Sequence, residues 1–201
     1  MIPAATSDGV LTLTLARAGK ANALTEGMLN DLADAVLGSD AQVIVLTGEG
    51  RVFSAGADLE AVKQGLATSP AWEKLSGAIA GFSGLTIAAL NGTVAGGALG
   101  MVLACDLRVA VDGATFFYPV IKMGVMPQPS DPARLRALVG PARAKLMLLT
   151  GAKLTAAQAL TCGLVDRVVD DHAALEATIN TLIGPAMAAK PGLLAQIKAV
   201  I

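Results

Sequence analysis

One stretch constrains the rest of the chain: residues 86–111, TIAALNGTVAGGALGMVLACDLRVAV. An apolar run at 86–90 breaks at Asn91-Gly92. Two adjacent glycines follow, Gly96 and Gly97, and the apolar, small-residue segment Ala98–Ala104 is expected to be a helix. Glycine lets backbone approach a neighbour closely, and the first amides of a helix lack partners within it, a combination that suits a negative charge. A tightly packed strand–helix junction asks for the same small residues. The glycine pair alone leaves both readings open, and a second loop of the same kind is needed to choose between them.

A chain of 201 residues suffices for one well-buried domain. Hydrophobic residues make up 54% and charged residues only 15%, with mean hydropathy +0.62. No run reaches the ~18 apolar residues of a membrane-spanning helix, so the apolar excess points to subunit interfaces and a homo-oligomer. A net charge of −1 without a basic block argues against nucleic acid as a partner. Cys105 and Cys162 lack metal-ligand spacing and His172 is the single histidine, so neither a metal site nor a disulfide framework is expected. MIPAATSDG at the start has no basic and no apolar signal region, and a cytoplasmic protein with no membrane partner is expected.

In chain order, the alternation of Val10–Leu15 predicts a strand, Thr25 and Glu26 open a helix with Met28, Leu29, Leu32, Val36 and Leu37 at helical spacing, and residues 42–47 predict a buried strand. That order predicts a βαβ unit with parallel strands. The segment RVFSAGADLE at 51–60 then supplies the second loop: Gly56 permits a tight turn, leaving the Ala57 N–H free to point outward. Trp72, in the interrupted helix of 61–80, reads as packing. Further helices are expected from Ser130-Asp131-Pro132 to Gly140-Pro141, over 142–149, from a Thr155–Gln158 capping box, over 173–183 and after Pro191. A strand is expected at 164–169.

Taken together, Phe53-Ser54-Ala55-Gly56-Ala57-Asp58-Leu59, the Asn91-Gly92 to Gly96-Gly97 segment, Cys105-Asp106-Leu107-Arg108, Ala114-Thr115-Phe116, Gly124-Val125-Met126-Pro127 and LTCGLVDRVV at 160–169 resemble the crotonase (enoyl-CoA hydratase/isomerase) superfamily over nearly the whole chain. The resemblance implies an α/β fold, a crotonase-like (ClpP/crotonase) spiral of repeated ββα units. It also implies a single domain over 1–201 with 173–201 as a short C-terminal helical appendage, assembled as a trimer or dimer of trimers. An acyl-CoA thioester of fatty acid metabolism is the implied substrate, with no cofactor beyond the coenzyme A that the substrate carries. Family members continue for several tens of residues past this C-terminus, so a more open pocket, or closure by a neighbouring subunit, is expected.

By position, the resemblance assigns the two backbone donors of an oxyanion hole to Ala57 and Gly97. Removing an α-proton from a thioester drives charge onto its oxygen, and two fixed N–H groups stabilise that enolate more than the ground-state carbonyl. Ser54, Ala55, Gly56, Asp58, Leu59, Gly96, Tyr118 and Val120 are expected to line the substrate, with Lys20 and Arg17 near its phosphates.

The acid/base slots depart from the family pattern. The two glutamates of hydratases fall at Gly100 and Val120, and an aspartate slot used by other members falls at Gln128. None of these three residues takes up a proton at neutral pH. Double-bond isomerisation is therefore expected ahead of hydration. Asp131 is the candidate acid/base, weighed against a plain helix cap, and Asp131→Asn is expected to remove turnover with little change in thermal stability. Decarboxylation, thioester hydrolysis and non-catalytic acyl-CoA binding are the alternatives.

Overall fold

The computed structural model describes residues 2–201. The alternating segment forms β2 (Val10–Leu15), burying Leu11, Leu13 and Leu15 on one face, as a period of two requires. The Asp8-Gly9 turn folds an unforeseen strand, β1 (Ala4–Ser7), back onto it antiparallel. Thr25 caps α1 (Glu26–Leu37) by accepting the Met28 N–H, and the helix buries Met28, Leu29, Leu32, Ala33 and Val36. β3 (Val43–Gly48) then runs parallel to β2, completing the expected βαβ unit. Its first four residues are all buried, which is why this strand is a continuous aliphatic run rather than an alternating one.

From β3 onward the chain repeats one device. β3 is followed by the short β4 (Val52–Ser54), β5 (Leu85–Leu90) by β6 (Thr93–Ala95), and β7 (Leu107–Val111) by β8 (Thr115–Phe117). The first strand of each pair enters a six-stranded sheet of order β1-β2-β3-β5-β7-β10, and the second enters a four-stranded sheet of order β4-β6-β8-β9. β9 is Leu154–Thr155 and β10 is Arg167–Val169. Helices follow each pair: α2 (Leu59–Lys63) and α3 (Ala71–Ala80), then α4 (Ala98–Ala104), then α5 (Val120–Met123) and α6 (Asp131–Thr150). This is the ββα spiral.

α7 (Ala156–Thr161) starts at the Thr155 capping box, and α8 (His172–Met187) lies across β3, β5 and β7, followed by α9 (Leu193–Lys198). Two boundaries differ from expectation. The strand at 164–169 is reduced to Arg167–Val169, because Leu164 and Val165 return their amides to Ala159 O. The helix expected over 173–183 runs on to Met187, whereas the two helices expected on either side of Gly140-Pro141 are both present, numbered together as α6, with Gly140 breaking between them at φ 73 and ψ 167. No described helix is long and apolar enough to cross a membrane.

Two buried asparagines hold the turn between β3 and β4. Asn22 donates to Glu49 O and Val52 O at 2.9 and 2.8 Å, and Asn91 accepts the Gly48 N–H at 3.1 Å while donating to Gly50 O at 2.9 Å. Backbone groups that no strand partner satisfies are thus paired from the side, and β4 is aimed into the loop that follows it.

Candidate functional site

The first loop leaves β4 at Ser54. Its hydroxyl, fully buried, donates to Asn22 O at 2.8 Å and accepts the Gly56 N–H at 3.1 Å. Gly56 turns the chain at φ +90, a conformation that side chains disfavour. Its carbonyl accepts the Leu24 N–H, and Asp58 N–H returns to Leu24 O, both at 2.8 Å. Ala57, between these bonds, keeps its N–H free. In the second loop Gly96 donates to Phe117 O at 3.0 Å and turns at φ +57, and Gly97 stands at the start of α4. Among the described residues, neither the Ala57 nor the Gly97 N–H donates to a protein acceptor. The loops touch: a Cβ on Gly56 would lie 2.7 Å from Ala95 O and 3.4 Å from Gly96 Cα.

Both loops open on a cavity of about 140 Å³, lined by Ala55, Ala57 and Leu59 on one side and Gly96 and Gly97 on the other. Trp72, Phe117, Tyr118 and Val120 form further walls, and Met123, Met126 and Gln128 lie nearer the opening of α6. None of the described lining residues carries a charge. Trp72 is buried and packed, as expected, and forms a cavity wall as well: its indole Nε1–H donates to Leu66 O at 2.8 Å, and its ring lies so close that a Cβ on Gly97 would meet it at 3.0 Å. The sequence marks this residue only as the single tryptophan.

Asp131 does not line the cavity, yet it is 1% exposed and no helix cap. Ser130 stands at the cap position without a side-chain capping bond, and Asp131 is the first residue of α6. The Asp131 carboxylate turns instead to Tyr118, whose hydroxyl donates to Oδ2 at 2.8 Å and accepts the Gln128 N–H at 3.3 Å. Oδ1 has no partner among the described residues. A Cβ on Gly100 would lie 2.7 Å from Oδ1 and 2.8 Å from Oδ2, so the carboxylate fills the space a side chain at 100 would need. Burial pushes the Asp131 carboxyl up to about 6, against the Tyr118 hydrogen bond, with Glu73 raising it further and Arg134 lowering it. Burial, and then the Asp131 charge, push the Tyr118 phenol above its ordinary range.

The remaining expected residues lie elsewhere. Ser54 and Gly56 shape the first loop rather than line the cavity. Lys20 and Asp58 border a separate, wide cleft with Arg17. Arg17 is engaged there, with Nη2 3.0 Å from Asp58 Oδ2 and Nη1 donating to Ala23 O at 2.6 Å, and this hydrogen bond holds the Asp58 carboxyl below its usual range. Glu60 is exposed and paired with Lys63, and His172 opens α8 in a different cleft.

Across residues 5–201 the sequence matches the family model for enoyl-CoA hydratase/isomerase. The chain belongs to that family. A 4-chlorobenzoyl coenzyme A dehalogenase of an Arthrobacter species is 39% identical over 178 residues, which cover 82% of this chain and 64% of that relative. The 2,3-dehydroadipyl-CoA hydratase of Escherichia coli K12 is 38% identical over 178 residues, covering 83% of this chain and 68% of that one. An enoyl-CoA hydratase structure from Bacillus anthracis superposes with a TM-score of 0.91 at 27% identity, covering 98% of this chain and 81% of that one. Around Gly97 this chain has no side chain at 100, and a carboxylate from α6 occupies that space.

Proposed function

We propose that this protein binds an acyl-CoA thioester and stabilises its enolate between the Ala57 and Gly97 N–H groups, with double-bond isomerisation as the reaction. The observation that carries this is the pair of unpartnered amides on two touching loops at the wall of one cavity. Both residues are half-buried, and amides left free at a cavity wall are available to donate to a bound oxygen. Losing one such donor typically costs ~3–4 kcal/mol of transition-state stabilisation. Family membership and the acyl-CoA relatives supply the thioester.

The uncharged lining favours a neutral acyl group over one that ends in a carboxylate or an ammonium. Its size, about 140 Å³, is close to the ~150 Å³ cavity that admits benzene in another protein, so a short chain or a single ring fits. One hydroxyl, on Tyr118, faces chemistry that in hydration calls for two proton-handling groups. Lys20, at the wide cleft, is the candidate for the coenzyme phosphates. We further propose a homo-oligomer, trimer or dimer of trimers, supported by apolar side chains left exposed beside the cavity, Leu59 at 75% and Met126 at 82%.

Incubation with crotonyl-, 3-enoyl-, 2,4-dienoyl- and malonyl-type CoA esters, followed by mass spectrometry and chromatography, tests the reading. An isomer of unchanged mass is the expected product. A gain of one water establishes hydration instead, loss of carbon dioxide or release of free coenzyme A establishes the decarboxylase or thioesterase alternative, and binding without turnover establishes a non-catalytic acyl-CoA binder.

A further inference from the structure

Enolate formation needs a group that takes a proton from carbon, and the described residues lining the cavity include no carboxylate, lysine or histidine. Tyr118 carries the only hydroxyl among them. Its place follows from the sheet: β6 pairs with β8 so that Ala95 faces Phe117 and Gly96 donates to Phe117 O, and Tyr118, the next residue, lines the same cavity as Gly97. Gln128, another lining residue, gives its backbone N–H to the Tyr118 hydroxyl, so two residues of one cavity wall are joined at that oxygen. Behind that hydroxyl, 2.8 Å away, lies the Asp131 carboxylate with one oxygen buried and unpartnered. A buried charge with a bare oxygen is expensive, and the fold has kept residue 100 free of a side chain to make room for it.

We propose that Tyr118 is the catalytic residue that exchanges protons with the bound acyl group, and that Asp131 is the positioning residue that receives and returns the Tyr118 proton. This rests on the acyl-CoA reading above. The Cα–H bond breaks and its electron pair passes into the enolate held by the Ala57 and Gly97 N–H groups. The substrate proton goes to Tyr118 Oη while the phenol's own proton moves to Asp131 Oδ2, leaving a neutral carboxylic acid. Reprotonation at the γ-carbon reverses the relay: Tyr118 gives its proton to carbon, and Asp131 returns one to Tyr118. No proton is gained or lost overall and no co-reactant is consumed. A free phenolate never forms, as its burial beside a carboxylate requires.

The groups facing Asp131 are Tyr118 from the segment after β8, Glu73 from α3, which disfavours its charge, and Arg134 one turn along α6, which favours it. Ionisation of Asp131 at about pH 6 then switches the relay on.

The test follows isomerisation and α-deuterium uptake of 3-enoyl-CoA in heavy water, with calorimetric binding of the CoA ester as control. Tyr118→Phe is expected to lose about 100-fold or more in kcat with KM nearly unchanged. Asp131→Asn is expected to lower kcat and abolish its rise through about pH 6, an effect that a merely structural role does not produce. The second variant stands by itself should Tyr118→Phe fail to fold. A Tyr118→Phe protein with wild-type exchange, or an Asp131→Asn protein that keeps the rise, overturns the relay and leaves the acyl-CoA reading intact. A wild-type protein inert towards every CoA ester overturns both.

Discussion

Gly100 and Asp131 stand 31 positions apart in sequence and share one space in the fold. The approach is so close that Gly100→Ala forces the Asp131 carboxylate, and with it Tyr118, to move. We expect Gly100→Ala to cost about 1–3 kcal/mol of stability, as overpacking does, and expect most of that loss to disappear in the Gly100→Ala, Asp131→Gly double variant. Urea denaturation of the four proteins in the cycle measures this, and additive costs would rule out the shared space. The environment of Asp131 leads to a different expectation for the stability of Asp131→Asn than a surface cap would give. Burial pushes its carboxyl up to about 6 from an ordinary value of 3.8. Between those values the folded state holds the extra proton, so stability falls as pH rises through the window and the full penalty stands above about 6. The wild type should therefore lose on the order of 3 kcal/mol relative to Asp131→Asn between pH 4 and pH 7, readable from melting curves of both proteins; parallel curves would sink the assignment. The loops that carry Ala57 and Gly97 were legible in the sequence as runs of small residues broken by glycine, and the resemblance pointed to their two amides. Asp131 was named as an acid/base candidate, but its contact with Tyr118 was not legible, because only the packed fold brings the two together.

Among the elements, the strands of the large sheet were legible where they are long enough to carry a period or an unbroken aliphatic run, as β2, β3 and β5 are. The second strand of each pair was not. β4, β6 and β8 have three residues each, too few for any alternation to register, and their pairing is decided by the turns that aim them. Asn91 is the clearest instance. Before a glycine it reads as a turn residue, whereas it is 3% exposed and bonds on both sides of its amide to the β3–β4 turn. Asn91→Leu is expected to leave the Gly48 N–H and Gly50 O without those partners and to cost about 2–3 kcal/mol. Because β4 leads directly into the Ser54–Ala57 loop, CoA-ester binding should weaken with it. A denaturation midpoint equal to wild type would show that water replaces the amide at no cost.

Over the whole molecule, α9 lies outside both sheets and is tied back to them by side chains. Lys198, on α9, donates to Phe82 O at 2.8 Å and Gly84 O at 3.0 Å and pairs with Asp106 Oδ2 at 2.8 Å. The same Asp106 oxygen accepts the N–H and the hydroxyl of Thr86 at 2.8 and 2.9 Å, so one lysine gathers the start of β5, the start of β7 and the C-terminal helix. A helix after Pro191 was legible from its punctuation; its anchor was not, because a single lysine among polar neighbours reads as a solvated residue until the fold brings two carbonyls to it. α4 begins at the Gly97 loop and ends one residue before Cys105, with Asp106 next, so this clamp braces the far end of the helix that presents Gly97. Lys198→Met keeps the apolar stem and removes the three bonds. With the pair about a quarter exposed, the expected cost is modest, about 1–2 kcal/mol. Its signature is local: amides of α9 should lose hydrogen-exchange protection while those of β3 keep theirs. Equal protection of α9 in both proteins would mean that its apolar contacts alone, such as Leu194 against the core, hold the helix in place.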